Sequence, residues 1–138
     1  MSEESTTPNL VELARLLFGL ASDGDLDGVL RFYAPDAVFD ARDLGVFEGR
    51  AAIRRFWADW TDSYDTFEIV AEELLDLGHG VSFAALRQTA RLVGSDSDVS
   101  LREAWVASWL DGMIVRVTTY GDVNEGRAAA QRLAEEHG

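Results

Sequence analysis

Arg87 and Glu103 are the two residues whose charge and spacing best suit chemistry. They lie in β-like stretches on either side of a turn near Gly94 to Ser97, and a hairpin there brings them opposite or diagonal to one another. Arginine can anchor a carboxylate or enolate oxygen while glutamate orients it or takes up a proton. They could instead form an ion pair without a ligand, or a pair on the sheet surface.

Asp40 and Tyr33 are further candidates. Asp40 ends a short β-like stretch, where it could act as a base if a bulge turned it inward, or could bond the nearby backbone as strand-end aspartates commonly do. Tyr33 lies at the end of the second predicted helix, and a buried tyrosine needs a hydrogen-bond partner in the core or in a ligand.

Metal and cofactor chemistry have little support in the sequence. The two histidines, His79 and His137, are far apart, and the chain has no cysteine. No cluster of ligands at metal-binding spacing, glycine-rich phosphate loop or Ser-His-Asp arrangement is recognisable. We therefore expect a site that works without a cofactor.

An aromatic helix is predicted from Arg50 to Tyr64. Its apolar residues at helical spacing are Ile53, Phe56, Trp57, Trp60 and Tyr64. Such a face must be buried, so Trp57 and Trp60 form either core or the aromatic wall of a ligand site. In a partly hollow core they would do both.

Three other helices are predicted. The spacing of Leu10, Leu13, Leu17 and Leu20 after Pro8-Asn9 predicts the first. Asp25 can cap a short second helix, which Pro35 ends. Residues Asn124 to Glu136 predict a surface C-terminal helix, and residues 1–8 are predicted to be disordered.

From Thr66 onward the apolar period changes to two, which indicates strands. The four long stretches are Phe67 to Leu77, Val81 to Val93, Val99 to Leu110 and Met113 to Tyr120, after a short strand at Ala37 to Ala41 and a loop at Arg42 to Gly49. Only a few residues separate one long stretch from the next, and connections this short require antiparallel pairing. The predicted α+β fold is a cone-shaped, curved antiparallel sheet with a mixed edge, three helices of the N-terminal half on its concave side, and a C-terminal helix.

Composition limits the partners. Twelve basic and 25 acidic residues give a net charge of −13, which repels nucleic acid and anionic lipid surfaces. The longest apolar runs fall short of the roughly 20 residues of a membrane span, so no membrane contact is expected. Without cysteine or a leader-like segment, we expect a cytoplasmic protein. The length predicts one domain at 9–123, followed by the helix at 124–138.

Four segments carry a family resemblance: Gly24 to Leu30, Tyr33 to Phe39, Phe47 to Phe56 and Trp109 to Arg116. They resemble the nuclear transport factor 2-like superfamily, and within it the SnoaL-like branch, over a stretch from about Leu10 to Asp122. The resemblance implies a cone whose open end admits a small ligand. The superfamily includes ketosteroid isomerases, polyketide cyclases, dehydratases and epoxide hydrolases, so the fold alone does not select a reaction.

Alignment with the isomerase pattern implies which catalytic residues are missing. The general base falls at Ala41, the oxyanion-binding tyrosine at Leu17 and the neutral carboxylic acid at Trp105, so the isomerase mechanism is disfavoured. The same alignment implies that the following sheet residues face the cavity: Phe83, Ala85, Arg87, Thr89, Glu103, Trp105, Ala107, Trp109, Val115, Val117 and Thr119. A slip of one residue would invert that assignment.

Two functions therefore remain open. The first is binding of a small hydrophobic oxygenated molecule in the cavity, with cofactor-free acid–base catalysis of the isomerase, cyclase, dehydratase or hydrolase type. Its candidate catalytic residues are Arg87, Glu103 and Asp40, and its candidate ligand-binding residues are Tyr33, Trp57, Trp60, Phe83, Trp105, Val117 and Thr119. The second is non-catalytic ligand binding or homodimeric assembly through the outer sheet face, where Val106, Ser108, Arg116, Thr118 and Tyr120 would form the patch.

Overall fold

A computed structural model describes residues 9–138; the segment predicted to be disordered, 1–8, lies outside the described residues. The described chain forms, in order, α1 (Leu10–Ser22), α2 (Leu26–Leu30), β1 (Tyr33–Asp40), β2 (Val46–Glu48), α3 (Arg50–Asp62), β3 (Tyr64–Gly78), β4 (Val81–Leu92), β5 (Asp98–Leu110), β6 (Met113–Tyr120) and α4 (Val123–His137). A short 3₁₀ turn, Arg42–Leu44, joins β1 to β2.

The strands form one six-stranded sheet in the order β2-β1-β6-β5-β4-β3. All neighbours pair antiparallel except β1 and β6, which run parallel. Register shifts interrupt the β3–β4 pairing at three places, and such bulges bend and twist a sheet. The predicted α+β architecture is confirmed, including the antiparallel meander from β3 to β6 and the mixed edge.

Polar side chains begin three of the helices. Asn9 accepts a hydrogen bond from the N–H of Val11 at α1, Asp25 from Gly28 at α2, and Asp122 from Glu125 at α4. Each satisfies a backbone donor that the first helical turn leaves without a partner. None of the helices in residues 9–138 is both long and apolar enough to cross a membrane.

The region around Pro35 differs from its prediction. Helix α2 already ends at Leu30, and Tyr33 lies at the start of β1 rather than on the helix. Pro35 falls within β1, where the pairing with β6 shifts register between Tyr33 and Val38. Proline lacks the N–H that a regular ladder needs, so it is tolerated at this irregular part of the strand.

Helices α1, α2 and α3 cover one face of the sheet, which we call the inner face. The inner core includes Leu17, Phe18, Val29, Ile53 and Trp57 from the helices and Phe39, Leu86, Trp105 and Val117 from the strands. Burial of these large apolar side chains is the main stabilisation of this layer.

Helix α4 covers part of the opposite, outer face. Its Ala130 and Ala134 pack in an outer core with Val81, Phe83, Ala85, Ala104 and Val106. At the edge of this core Arg127 forms an ion pair with Glu73 of β3 at 2.6 Å. The predicted surface helix therefore has one face that is fully part of the packed structure.

Candidate functional site

The inner face encloses a cavity of about 270 Å³ between the C-terminal ends of α1 and α3 and the start of β3. We call it the main cavity. Its wall is largely apolar and includes Leu17, Val29, Trp57, Phe67, Ile69 and Trp105, and its polar residues include Ser22, Asp23, Thr61 and Asp65. The volume is close to the lower end of the roughly 300–1,000 Å³ that is usual for small-molecule sites.

Tyr33 is a lining residue of the main cavity that carries a buried hydroxyl. The residue lines the cavity and is fully buried, and Arg50 Nε donates to its backbone carbonyl at 2.8 Å, which ties the start of β1 to α3. Within residues 9–138 no protein group pairs with the hydroxyl. Burial raises the pKa of Tyr33, so the hydroxyl remains protonated and able to donate. An unpaired buried donor costs about 1–3 kcal/mol, which a ligand acceptor would offset.

Trp57 and Trp105 form the aromatic wall. Their ring centroids lie 5.7 Å apart, and both rings contact Phe39 edge-on. In the described part of the chain both indole nitrogens are buried without a well-formed hydrogen bond. That of Trp105 approaches the carboxylate of Glu103, which leaves the Trp57 N–H as the second donor near the cavity.

Glu103 lies in a smaller chamber of about 60 Å³, which shares Trp57 and Trp105 with the main cavity. Gln88 Nε2 donates to Glu103 Oε2, and Trp60 Nε1 donates to Gln88 Oε1 at 3.2 Å. Burial raises the pKa of Glu103 to about 7, against the opposing effect of the Trp105 and Gln88 donors. Such a carboxyl exchanges protons near neutral pH and is chemically competent as an acid or a base.

The predicted pairing of Arg87 with Glu103 is wrong. Leu86, not Arg87, lies across from Glu103 in the β4–β5 register. Arg87 points to the outer face, where it forms an ion pair with Glu72 at 2.7 Å and is about half exposed (48%). Glu103 therefore lies on the inner face without a cationic partner from β4.

The predicted position of Phe83 in the cavity is wrong for the same reason, the shifted register of β4. It belongs to the outer core beneath α4, and Ala85 and Thr89 share its face because side chains alternate along a strand. The residues of β4 that line cavities on the inner face include Ser82, Ala84 and Gln88. Sequence reasoning missed Gln88, although a lone amide between Leu86 and Ala90 in an apolar strand is a signal that could have identified it.

Asp40 does not face the site. Its carboxylate accepts from the backbone N–H of Arg42 at 2.9 Å and forms an ion pair with Arg116 at 3.0 Å. This is the strand-end alternative left open by the sequence. It leaves no geometric support for Asp40 as a base at either cavity.

The remaining predicted residues divide between the two chambers and the core. Tyr33, Trp57 and Trp105 line the main cavity, whereas Trp60 and Thr119 line the smaller chamber with Glu103. Val117 is fully buried in the inner core. No group of three or more metal-binding side chains occurs in the range 9–138.

Comparison with known proteins identifies one matching family and many solved structures with a similar fold. The model of the family described as SnoaL-like domain matches residues 14–117. No curated protein matches the chain by sequence.

Three solved structures illustrate the structural likeness. A protein from Catenulispora acidiphila with a ketosteroid isomerase-like fold, in complex with trimethylamine, is 13% identical with a TM-score of 0.73, over 91% of this chain and 94% of that one. TerC, co-crystallised with polyporic acid, is 17% identical with a TM-score of 0.72, over 91% and 97%. A protein from Sinorhizobium meliloti assigned as a polyketide cyclase is 23% identical with a TM-score of 0.64, over 78% and 93%. At these identities the likeness establishes the fold.

Proposed function

The chain belongs to the SnoaL-like domain family, and we propose that it binds a small hydrophobic oxygenated molecule in the main cavity. The observation that carries the proposal is the Tyr33 hydroxyl, a fully buried donor that has no partner within the described residues and belongs to a residue that lines the cavity. A carbonyl or ether oxygen would supply the missing acceptor. The aromatic wall would hold the apolar body of the ligand.

The solved neighbours support small-molecule binding by this fold without selecting the molecule. One was crystallised with an amine and another with polyporic acid. Ligands so different agree with a scaffold whose specificity depends on the local lining of the cone. For this chain that lining is Tyr33, Trp57 and Trp105.

Tyr33→Phe tests the proposal, with β-tetralone, a bicyclic ketone, as the probe and isothermal titration calorimetry as the measurement. Loss of the donor should weaken binding about tenfold. The melting temperature should stay the same or rise, because the hydroxyl has no protein partner to lose.

Tyr120→Phe is the matched control, since Tyr120 packs against the outer core and its hydroxyl should not affect binding. A Tyr33→Phe protein that is clearly destabilised but binds as tightly as the wild type would show that the hydroxyl has only a structural role.

Catalysis is the second candidate, and Glu103 is the residue that favours it. The carboxyl of Glu103, which has a pKa of about 7, lies partly buried in the smaller chamber, and that chamber shares Trp57 and Trp105 with the main cavity. Where a ligand extends from the main cavity into this chamber, Glu103 could take up a proton from the carbon next to the ligand carbonyl. This is the step that isomerases and cyclases of the proposed types require. The proposed site now includes Glu103, Gln88, Tyr33 and Trp57, without Arg87 or Asp40.

Deuterium exchange measures that step directly. In D₂O the α-protons of β-tetralone should exchange faster with the protein than without it, and the rate should rise with pH to a plateau above about 7 because the base form is required. Glu103→Gln should abolish the acceleration while leaving binding within a few-fold. Equal rates for the two proteins would exclude Glu103 as the base and favour binding without turnover.

Homodimeric assembly through the outer sheet face remains a prediction. Helix α4 covers Val106 and contacts Tyr120, so the expected patch is smaller than the sequence suggested. The outer residues that stay exposed include Val70, Arg87 and Arg102. Sedimentation equilibrium of the wild type and of Val70→Asp would test assembly through this part of the face.

A further inference from the structure

In the described part of the chain, the main cavity is lined by acidic but not by basic residues. Asp23 follows the end of α1, Asp65 lies at the start of β3, and both are exposed at the cavity mouth. Among residues 9–138 no arginine or histidine contributes to the lining, and the chain has no lysine. The mouth therefore has a negative charge of its own, in addition to the net charge of −13 on the whole chain.

Two other polar residues of the mouth, Ser22 and Thr61, are already engaged in hydrogen bonds. Ser22 Oγ donates to the carbonyl of Ile69 at 2.9 Å and accepts from its N–H at 3.0 Å, and Thr61 Oγ1 donates to the carbonyl of Trp57 at 3.0 Å. By contrast, neither Asp23 nor Asp65 has an ion-pair partner among residues 9–138. Their carboxylates are available to a ligand.

Two helix ends add to this negative potential. Helices α1 and α3 each have 13 residues, and the C-terminal turns of both border the main cavity. A helix C-terminus carries roughly half a negative charge, which basic side chains in the last turn commonly offset. Neither α1 nor α3 has a basic residue in its last turn.

The aromatic wall near the mouth favours the same sign of charge. Tyr64 and Phe67 flank Asp65 and Thr66 in sequence, line the cavity, and have ring centroids 6.3 Å apart. The faces of aromatic rings attract cations within about 6 Å. The carboxylates, the helix ends and the rings thus all favour a positive group at the mouth.

We propose that the main cavity selects a ligand with two polar ends: an acceptor oxygen at the buried end and a protonated amine at the mouth. The proposal rests on the proposed binding function and names the charge class of its ligand. Tyr33 pairs with the oxygen, and Asp23 and Asp65 pair with the ammonium group. A ligand whose outer end is a carboxylate meets repulsion at the same place.

Three phenyl ketones of matched shape test the selection. In each, a three-carbon chain from the carbonyl ends in a dimethylammonium, an isopropyl or a carboxylate group, and the first two groups have nearly the same size. By calorimetry at pH 7 and low salt, the ammonium ketone should bind about fivefold to tenfold more tightly than the isopropyl ketone, and the carboxylate ketone should bind most weakly. Raising the salt to about 0.5 M should remove most of the difference.

Single neutral substitutions locate the charge effect. Asp23→Asn and Asp65→Asn should each weaken binding of the ammonium ketone about twofold to fivefold and leave the isopropyl ketone unchanged. Asp111→Asn is the matched control, because it removes the same charge from the turn between β5 and β6, outside the cavity lining.

The outcomes separate the two proposals. Equal binding of the three ketones, or preference for the carboxylate, overturns the charge selection while the binding function stands. Binding of none of them at millimolar concentration counts against the binding function itself, and with it against the selection.

Discussion

The two cores on either side of the sheet are built differently. The outer core beneath α4 combines Phe83 with small alanines, and its flanking Arg127 is paired with Glu73. The inner core combines large aromatic rings, leaves the Tyr33 and Trp57 donors without partners in the described chain, and encloses the main cavity. Close packing is what stability alone favours. The departures from it on the inner face therefore support the proposal that the ligand binds there.

Phenylalanine truncation on each face gives the largest contrast. Phe83→Ala empties a fully buried site in the outer core and should lower the free energy of unfolding by about 3–5 kcal/mol. Phe67 borders the main cavity and is partly exposed, so Phe67→Ala should lower the free energy of unfolding by about half as much. Ligand affinity should fall only for Phe67→Ala. Chemical denaturation and calorimetry measure both quantities, and a loss of affinity specific to Phe83→Ala would contradict the assignment of the faces.

The pH dependence of stability tests the partly buried carboxyl of Glu103 on the inner face. Because the pKa of Glu103 rises from 4.5 to about 7 on folding, the folded state binds its proton more tightly than the unfolded state. Its contribution is therefore fully present below pH 4.5 and is lost as the pH rises through 7. Glu103→Gln cannot ionise, so it should match the wild type near pH 4.5 and exceed it by about 3 kcal/mol at pH 8.

Urea unfolding of both proteins at several pH values checks this. A wild-type minus variant difference that does not change between pH 4.5 and 8 would mean that the pKa of Glu103 is not raised on folding.

A single methyl group tests how closely the outer core is packed. A Cβ at Gly126 of α4 would come within 2.5 Å of the Ala104 Cβ, so Gly126→Ala should destabilise by about 1–2 kcal/mol despite the better helix propensity of alanine. A Cβ at Gly19 of α1 would meet no other atom within 4 Å. The control Gly19→Ala should therefore stabilise the protein by up to about 1 kcal/mol. Equal effects of the two changes on the melting temperature would show that α4 is not closely packed.

Arg87→Ala should have the smallest effect. Arg87 is half exposed, and its partner Glu72 keeps a second ion pair with Arg102 at 2.9 Å. We expect a stability change below about 0.5 kcal/mol and no change in ligand affinity. A loss of binding in this variant would restore the catalytic pair that the sequence suggested and would contradict the observed register.

The sequence was sufficient for the helices and the five longer strands and for their order, but not for β2 (Val46–Glu48), which lies within the predicted loop at Arg42 to Gly49. The caps Asn9 and Asp25, the aromatic helix after Gly49 and the short turns between β3 and β6 each have a local signature, because capping and turn chemistry depend on neighbouring residues. These signals predicted the α+β fold.

The faces of β4 could not be read in the same way. Residues Val81 to Leu86 are all buried, so the strand has no alternation of apolar and polar residues from which to assign its faces. That burial arises because α4 covers the outer face, a long-range contact that its alanine-rich sequence does not reveal. The alignment with the isomerase pattern was one residue off in β4, so it assigned Arg87 to the inner face in place of Gln88.

A crystal structure with β-tetralone bound tests the central claim most directly. We predict the ketone in the main cavity, against Trp57, with its oxygen within about 2.5–3.0 Å of the Tyr33 hydroxyl. A structure in which the Tyr33 hydroxyl is paired within the protein and the ketone is absent from the inner face would contradict that claim.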